Sequence, residues 1–202
     1  MDQEQLMNAV NPLFSKCQNA SSTGILDLSH SQLTAIPEVV FNFMSNAGTE
    51  VKECDLSGNL MQEIHPKLAI DFKILTNLNI AHNLLMTLPK EIGNLRALER
   101  LNISCNYLLE LPDVVFKLPN LTYLYAQDNL ITEIDIEQPI ESDNLALVDL
   151  RYNTLKPEFL RKLMKIQTTF RLVLNDAEVN DNDYEDYDDQ DDDDDDDGFI
   201  KN

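Results

Sequence analysis

The 202-residue sequence is poor in several residues that define particular classes of protein. It contains no Trp, three Cys, five Gly and eight Pro. The low Gly and Pro content excludes a collagen-like chain and a flexible linker. Cys17, Cys54 and Cys105 are odd in number, lie far apart and have no CxxC or CxxH spacing. We therefore expect reduced thiols rather than a disulfide framework or a zinc site.

The sequence also lacks long apolar runs and the signals of export. Its first four residues, Met1 to Glu4, include two acids where a secretory signal would be basic. No uninterrupted apolar run approaches the ~18 residues that a membrane helix needs. These features predict a soluble intracellular protein without a membrane partner, in the cytoplasm or alternatively in the nucleus.

Basic residues are scarce, and the scarcity is greatest at the C-terminus. The chain has 36 acidic and 15 basic residues, a net charge of −21, and residues 176–202 alone hold 15 acids and one Lys. We expect this acidic tail to be disordered because its charges repel one another and it has few apolar residues. Its densest part is the run Asp191, Asp192, Asp193, Asp194, Asp195, Asp196 and Asp197. Two interpretations stay open: the tail binds a basic protein, or it only keeps the chain soluble. Direct binding to nucleic acid is not expected, since phosphates would be repelled.

A repeat of about two dozen residues runs through the rest of the chain. Residues 75–89, LTNLNIAHNLLMTLP, and 98–112, LERLNISCNYLLELP, align without a gap on the pattern LxxLxLxxNxLxxLP. Further copies begin at residues 23, 51, 121 and 145. One column of the alignment holds Ser31, Asn59, Asn83, Asn106, Asn129 and Asn153, spaced by 28, 24, 23, 23 and 24 residues. A fixed period in this range predicts a solenoid.

From residue 23 to about residue 160 the sequence resembles the leucine-rich repeat family. The resemblance implies an α/β solenoid of about six repeats with a curved parallel sheet, and we expect helical caps at its ends. The LxL segments are expected to be strands, and the column Asn to pair with buried backbone groups at the following turn. We expect an N-terminal cap at residues 1–22, a repeat domain with its C-terminal cap at 23–175, and the tail at 176–202. The tail resembles that of the acidic leucine-rich nuclear phosphoproteins.

Alternation along the strands predicts which side chains face outward on the concave side of the sheet. Acids gather in the first two repeats, and large or basic side chains gather in the last three. The candidate protein-binding residues are Arg100, Tyr123, Tyr125, Leu147, Arg151 and Tyr152. Tyr and Arg are enriched among the residues that dominate binding energy at protein interfaces. The sequence therefore predicts a non-enzymatic interaction module or scaffold that binds a protein partner; the alternative is a solvated face without a partner.

Residues for catalysis or cofactor binding are not apparent. His30 and His82 occupy the same column two repeats apart, roughly 10 Å at strand spacing, which is too far for one metal ion. Cys105 lies in that column as well, and a Cys–His nucleophile pair is the enzymatic alternative. No glycine-rich phosphate loop is present. We expect no catalytic residue, metal or cofactor, and a monomeric protein.

Overall fold

The computed structural model of the protein describes residues 12–134, 143–165 and 168–175. Within these residues the chain forms seven short strands that pair in chain order, all of them parallel. The strands are β1 (Ile25–Asp27), β2 (Glu53–Asp55), β3 (Asn77–Asn79), β4 (Arg100–Asn102), β5 (Tyr123–Tyr125), β6 (Leu147–Asp149) and β7 (Arg171–Val173). This open sheet is the one expected of a leucine-rich repeat solenoid.

Helices and 3₁₀ turns connect the strands or flank the sheet. The helices are α1 (Pro12–Thr23), α2 (Glu38–Asn46), α3 (Lys67–Asp71) and α4 (Pro157–Lys165), and 3₁₀ turns cover Lys90–Asn94 and Asp113–Val115. Pro37, Pro89 and Pro112 directly precede α2 and the two 3₁₀ turns, with extended backbone angles. Proline suits these positions because the first N–H of a helix has no partner within the helix.

The core is a continuous stack of apolar side chains between the sheet and these connections. In β1 to β6 the central residue, such as Leu101 or Leu124, is fully buried. The residue two positions later, such as Ile103, is fully buried as well. At one end α1 buries Cys17 and Ala20 in the same core. Residues 1–11 of the predicted N-terminal cap and the acidic tail, including Asp191 to Asp197, lie outside the described residues.

At the other end of the sheet, the sequence pattern predicts a helix over residues 157–164 and a final strand over residues 170–174; the structure has α4 and β7 there. Phe159 and Leu163 of α4 are buried, and Leu172 of β7 packs partly buried against the core. Apolar side chains of the last coil are covered in this way, as a repeat stack requires of its terminal units.

The column Asn side chains form a ladder inside the turns that follow the strands. In the central rung, the Nδ2 of Asn106 donates to the carbonyl oxygens of Ile80, Ile103 and Ser104, each at 3.1 Å. Its Oδ1 accepts the N–H of Leu85 at 3.0 Å. Asn59, Asn83, Asn129 and Asn153 make the equivalent bonds to their neighbouring repeats. The predicted role of this column is confirmed.

Candidate functional site

The outward-facing side chains of the sheet form three rows that cross the strands. The first strand residues form one row, running from Glu53 through Asn77, Arg100, Tyr123 and Leu147 to Arg171. The third strand residues form the second row, which includes Asp55, Asn79, Asn102, Tyr125 and Asp149. Residues two positions further on, among them Ser57 and Arg151, form the third. The strand register therefore places the predicted residues of successive repeats side by side.

The acidic half of this face is internally hydrogen-bonded. Asp27 accepts the backbone N–H of Ser29 at 2.9 Å and its hydroxyl at 2.7 Å. Asp55 accepts the corresponding groups of Ser57 at 2.8 and 2.6 Å. The Ser29 bonds are the main cause that lowers the pKa of Asp27, because they stabilise its charged form. This end of the sheet face therefore keeps a negative charge.

The second half of the face holds a cluster of cationic and aromatic groups. The guanidinium carbon of Arg100 lies 5.2 Å from the ring centroid of Tyr123. The Tyr123 and Tyr125 rings are stacked, with centroids 6.4 Å apart and planes inclined by 8°. Both tyrosines are half-buried, and Leu147 is the strand partner of Tyr123. We call these four residues, Arg100, Tyr123, Tyr125 and Leu147, the tyrosine cluster.

Arg151 does not present a free charge on this face. Its Nε and Nη2 bind both oxygens of Asp149, at 2.7 to 3.2 Å, and Asp149 is buried. The hydrogen bonds to Asp149 raise the pKa of Arg151 further. The two charges largely cancel, so Arg151 serves first to compensate a buried carboxylate.

Tyr152 lies in the turn after β6 rather than on a strand. It has a left-handed backbone with φ 55°, and its N–H donates to Oδ1 of Asn175 at 2.7 Å. Its side chain is 63 % exposed. The structure therefore brings four of the six predicted residues together in the tyrosine cluster, and leaves Arg151 paired and Tyr152 on the adjoining turn.

Arg171 is a residue of this face that the sequence pattern alone did not single out. It lies in β7, is exposed, and pairs in register with Leu147 beside the tyrosine cluster. The segment from Phe170 to Leu174 is predicted as a cap, so its outward positions are not part of the predicted rows. The alternation of inward and outward residues along that segment could have identified Arg171 as an outward residue.

A depression of about 370 Å³ joins the two halves of the face. It is lined by Asp27, Glu53 and Asp55 on one side and by Arg100, Asn102 and Tyr125 on the other, with further strand residues between them. The side chains at its two ends have opposite charge. Such a surface favours a partner whose own charges are arranged in the complementary order.

The enzymatic alternative at Cys105 lacks an activated thiol. Burial and the nearby Asp128 carboxylate raise the pKa of Cys105, whereas a nucleophilic Cys needs a lowered pKa. The thiol is 3.9 Å from Oδ2 of Asp128, to which it donates. Among the described residues, no group of three or more His, Cys, Asp or Glu side chains is placed to hold a metal ion. None of the described helices is both long and apolar enough to span a bilayer.

Comparisons with known proteins agree with the fold. Residues 96–155 match the family model described as leucine rich repeat. An LRR protein of Leptospira interrogans is structurally similar, with 26 % identity and a TM-score of 0.60, over 70 % of this chain and 34 % of that protein. The chain thus spans about a third of the length of that relative. An internalin C2 of Listeria monocytogenes is 18 % identical, with a TM-score of 0.49, over 83 % of this chain and 95 % of that one.

A search of curated proteins finds no match to the chain. The parallel sheet, the Asn ladder and the recognised repeat at residues 96–155 nevertheless agree with one another. The fold of this chain is a leucine-rich repeat solenoid.

Proposed function

We propose that the chain is a non-enzymatic intracellular interaction module that binds a protein partner at the tyrosine cluster. Leucine-rich repeat proteins generally act as protein-binding modules, and the open sheet face offers the corresponding surface. The observation that carries the proposal is the stacked Tyr123–Tyr125 pair with Arg100 above one ring. These side chains are already ordered by each other, so a partner would lose little side-chain entropy in contacting them.

The tyrosine cluster has the composition of an interface centre. Aromatic rings supply a large rigid contact area, and Arg supplies directional hydrogen bonds. Residual exposure is needed for contact, and both rings are only half-buried. The three free thiols, Cys17, Cys54 and Cys105, fit the reducing compartment that the proposal assumes.

The experiment is site-specific photocrosslinking in cells with the full chain. A photoreactive amino acid at Leu147 should capture a defined protein, and one at Val39, an exposed residue of α2, should not. With the purified partner, Tyr123→Ala combined with Tyr125→Ala should weaken binding about tenfold or more. Val39→Ala is the matched control and should leave binding unchanged. Undiminished binding by the double variant, with the fold intact by circular dichroism, would refute the proposal.

A second candidate function is binding of a basic protein, such as a histone, by the acidic tail. The support is the sequence of residues 176–202, with 15 acids and one Lys. A complex held by the tail should weaken steeply as salt rises above 0.15 M, where the Debye length is about 8 Å. A complex centred on the tyrosine cluster should change little over the same range.

We also infer a finer resemblance, which rests on sequence stretches alone. ILDLSHSQL, NLMQEI, NLLMTLP and VDLRYNTL are similar to leucine-rich repeat-containing protein 20, and the acidic tail departs from that protein. This resemblance supports a small intracellular adaptor and gives no partner.

A further inference from the structure

A second surface of the solenoid carries large apolar side chains that the core does not use. In the repeats of Asn59, Asn83, Asn106 and Asn129, the second residue after the column Asn is buried, and the first and third are exposed or half-buried. We call the outward residues of four successive repeats the apolar edge: Leu60, Leu84, Met86, Tyr107, Leu109 and Leu130. Met86 is 60 % exposed, and Tyr107 and Leu109 are each 51 % exposed. Five of the nine large apolar side chains that are exposed in the described part of the chain lie here.

The apolar edge is built on a rigid backbone. The N–H of Leu84 donates to the carbonyl oxygen of Met61, and that of Tyr107 to the carbonyl oxygen of Leu85, each at 2.8 Å. Leu130 makes the same bond to Leu108 at 3.0 Å. Because the acceptor residues are fully buried, the backbone that carries the outward side chains is held in position by the core. A partner would therefore not have to organise this backbone.

Two adjoining depressions follow the apolar edge. One, of about 340 Å³, is lined by Gln62, Leu84, Met86, Tyr107, Leu109 and Leu130. The other is lined by Thr34, Leu60, Gln62, Glu63 and Met86. Gln62 and Met86 line both, so the two depressions adjoin, and we refer to them together as the groove.

The charged side chains in the four segments that carry this groove are acidic. Residues 58–65, 82–87, 105–110 and 128–134 contain Glu63, Glu110, Asp128 and Glu133 but no Lys or Arg. Lys156, which lies outside these segments, pairs with Glu133 at 3.2 Å. Two copies of this edge placed face to face would bring their carboxylates together, which is unfavourable. The complementary occupant is an apolar surface with basic residues along its borders.

The spacing of the apolar edge suits an amphipathic helix. Neighbouring repeats present equivalent side chains at intervals of about 4.8 Å, the distance between strands. In an α-helix, residues three or four apart on one face are separated by about 4.5 to 6 Å along the axis. A helix that crosses the repeats can therefore place one apolar side chain beside each repeat from Leu60 to Leu130. We propose that the apolar edge is a second docking surface, separate from the concave face, for a basic amphipathic helix of a partner protein.

The test uses the full chain and two synthetic peptides of about 14 residues, roughly four helical turns. Both contain the same Leu and Lys residues; in one the Leu residues fall on a single helical face, and in the other they are distributed evenly. Fluorescence anisotropy at 0.15 M salt should show at least about tenfold tighter binding of the first peptide. Equal binding of the two peptides would mean that the acidic chain attracts any peptide rich in Lys, and would overturn the proposal.

Variants then locate the binding. Met86→Lys combined with Leu109→Lys should weaken binding of the amphipathic peptide about tenfold or more, since both side chains are at the centre of the groove. Val39→Lys with Ile70→Lys is the matched control, because it adds the same charge at exposed residues of α2 and α3. An equal loss with the control pair would overturn the proposal.

Two further measurements distinguish the apolar edge from the concave face and from a dimer interface. The variant Tyr123→Ala with Tyr125→Ala should bind the amphipathic peptide normally, so failure of the proposed function and failure of this inference are distinguishable. Sedimentation should show a monomer for both the native chain and the Met86→Lys, Leu109→Lys variant. A native dimer that this variant dissociates would mean that a second copy occupies the edge, contrary to the proposal.

Discussion

The Asn ladder gives the sharpest prediction for stability, and Asn106 is its best site. Asn106 is 6 % exposed and makes four side-chain hydrogen bonds to backbone groups. Asn106→Ala removes all four and leaves the buried N–H of Leu85 without this acceptor. An unsatisfied buried donor costs about 1–3 kcal/mol and each lost bond about 0.5–1.5 kcal/mol, so we expect a loss of about 3 kcal/mol or more. Urea unfolding would show this as a midpoint lowered by about 1.5 M, for a slope of about 2 kcal/mol/M.

The control for this measurement is Asn120→Ala. Asn120 is exposed, and its Nδ2 donates to the carbonyl oxygen of Arg96 at 2.8 Å. The same chemical change should therefore cost less than about 1 kcal/mol. Equal losses for Asn106→Ala and Asn120→Ala would show that the ladder does not stabilise the solenoid, and would refute the reasoning.

The Asn106→Asp variant adds a pH dependence of known sign. The new carboxyl keeps the acceptor for Leu85 but turns an oxygen toward the carbonyls of Ile80, Ile103 and Ser104. Burial and these oxygens disfavour the charged form, so the folded-state pKa of this carboxyl should lie above the unfolded value of about 3.9. The contribution of this carboxyl to stability should be most favourable below about pH 3.9 and be lost as the pH rises through the folded-state pKa. A deficit relative to the native chain that shrinks as the pH rises would contradict this assignment.

Other predictions concern the turns and the thiols. A Cβ at Gly58 would clash with Nδ1 of His30, and Gly58 has φ +66°, so Gly58→Ala should cost about 1–2 kcal/mol from the backbone alone. His30→Ala should relieve the additional clash, so Gly58→Ala should cost less in a His30→Ala background. Strictly additive effects of the two substitutions in a double-mutant cycle would show that the clash does not contribute. Burial and Asp128 raise the pKa of Cys105, so Asp128→Asn should increase thiolate and speed alkylation of Cys105 at pH 8; an unchanged rate would contradict this. Burial also raises the pKa of Cys54, whose alkylation should track global unfolding and show no fast phase in the folded protein.

The strands and the Asn ladder could be predicted because the same pattern occurs in each repeat. In the template at residues 98–112, Leu101 and Ile103 alternate with outward residues, and Asn106 follows at the turn. Each of these positions has one physical requirement, either an apolar side chain that can be buried or an amide that can bind buried backbone groups. The residue type at the position shows directly which of the two it is. Their agreement across six units fixes the register between neighbouring coils.

The backbone of the residue before the column Asn was not predicted. This position is left-handed in six repeats, at His30, Gly58, His82, Cys105, Asp128 and Tyr152, with φ between 49° and 66°. Gly, Asp and His are common in this conformation, but Cys and Tyr obscure the pattern. His30, His82 and Cys105, which suggested a histidine pair and a reactive cysteine, thus share a left-handed backbone conformation. A shared turn explains the alignment of His82 and Cys105 without a catalytic role.

The apolar edge could not be predicted for a different reason. In the template LxxLxLxxNxLxxLP, the positions of Tyr107 and Leu109 are variable, and a variable position is usually taken to face water. A solenoid coil has several faces, however, and only the closed coil shows that the variable positions of Leu60, Met86, Leu109 and Leu130 lie on the same one. The sequence signal was present as large apolar residues at variable positions of four successive repeats.

Arg100 and Arg151 show why residue type on a known face does not by itself define a binding site. Both were predicted to face outward, yet Arg151 lies two residues after Asp149, and alternation puts this carboxylate on the same face within reach. The outward neighbour of Arg100, two residues later in β4, is the neutral Asn102, and the next strand offers the ring of Tyr123. A guanidinium over a ring keeps hydrogen-bond donors for a partner, whereas one that forms two bonds with a buried carboxylate has committed them. We therefore expect the charge of the outward side chain two residues away along the chain to decide which of the two arginines keeps hydrogen-bond donors for a partner.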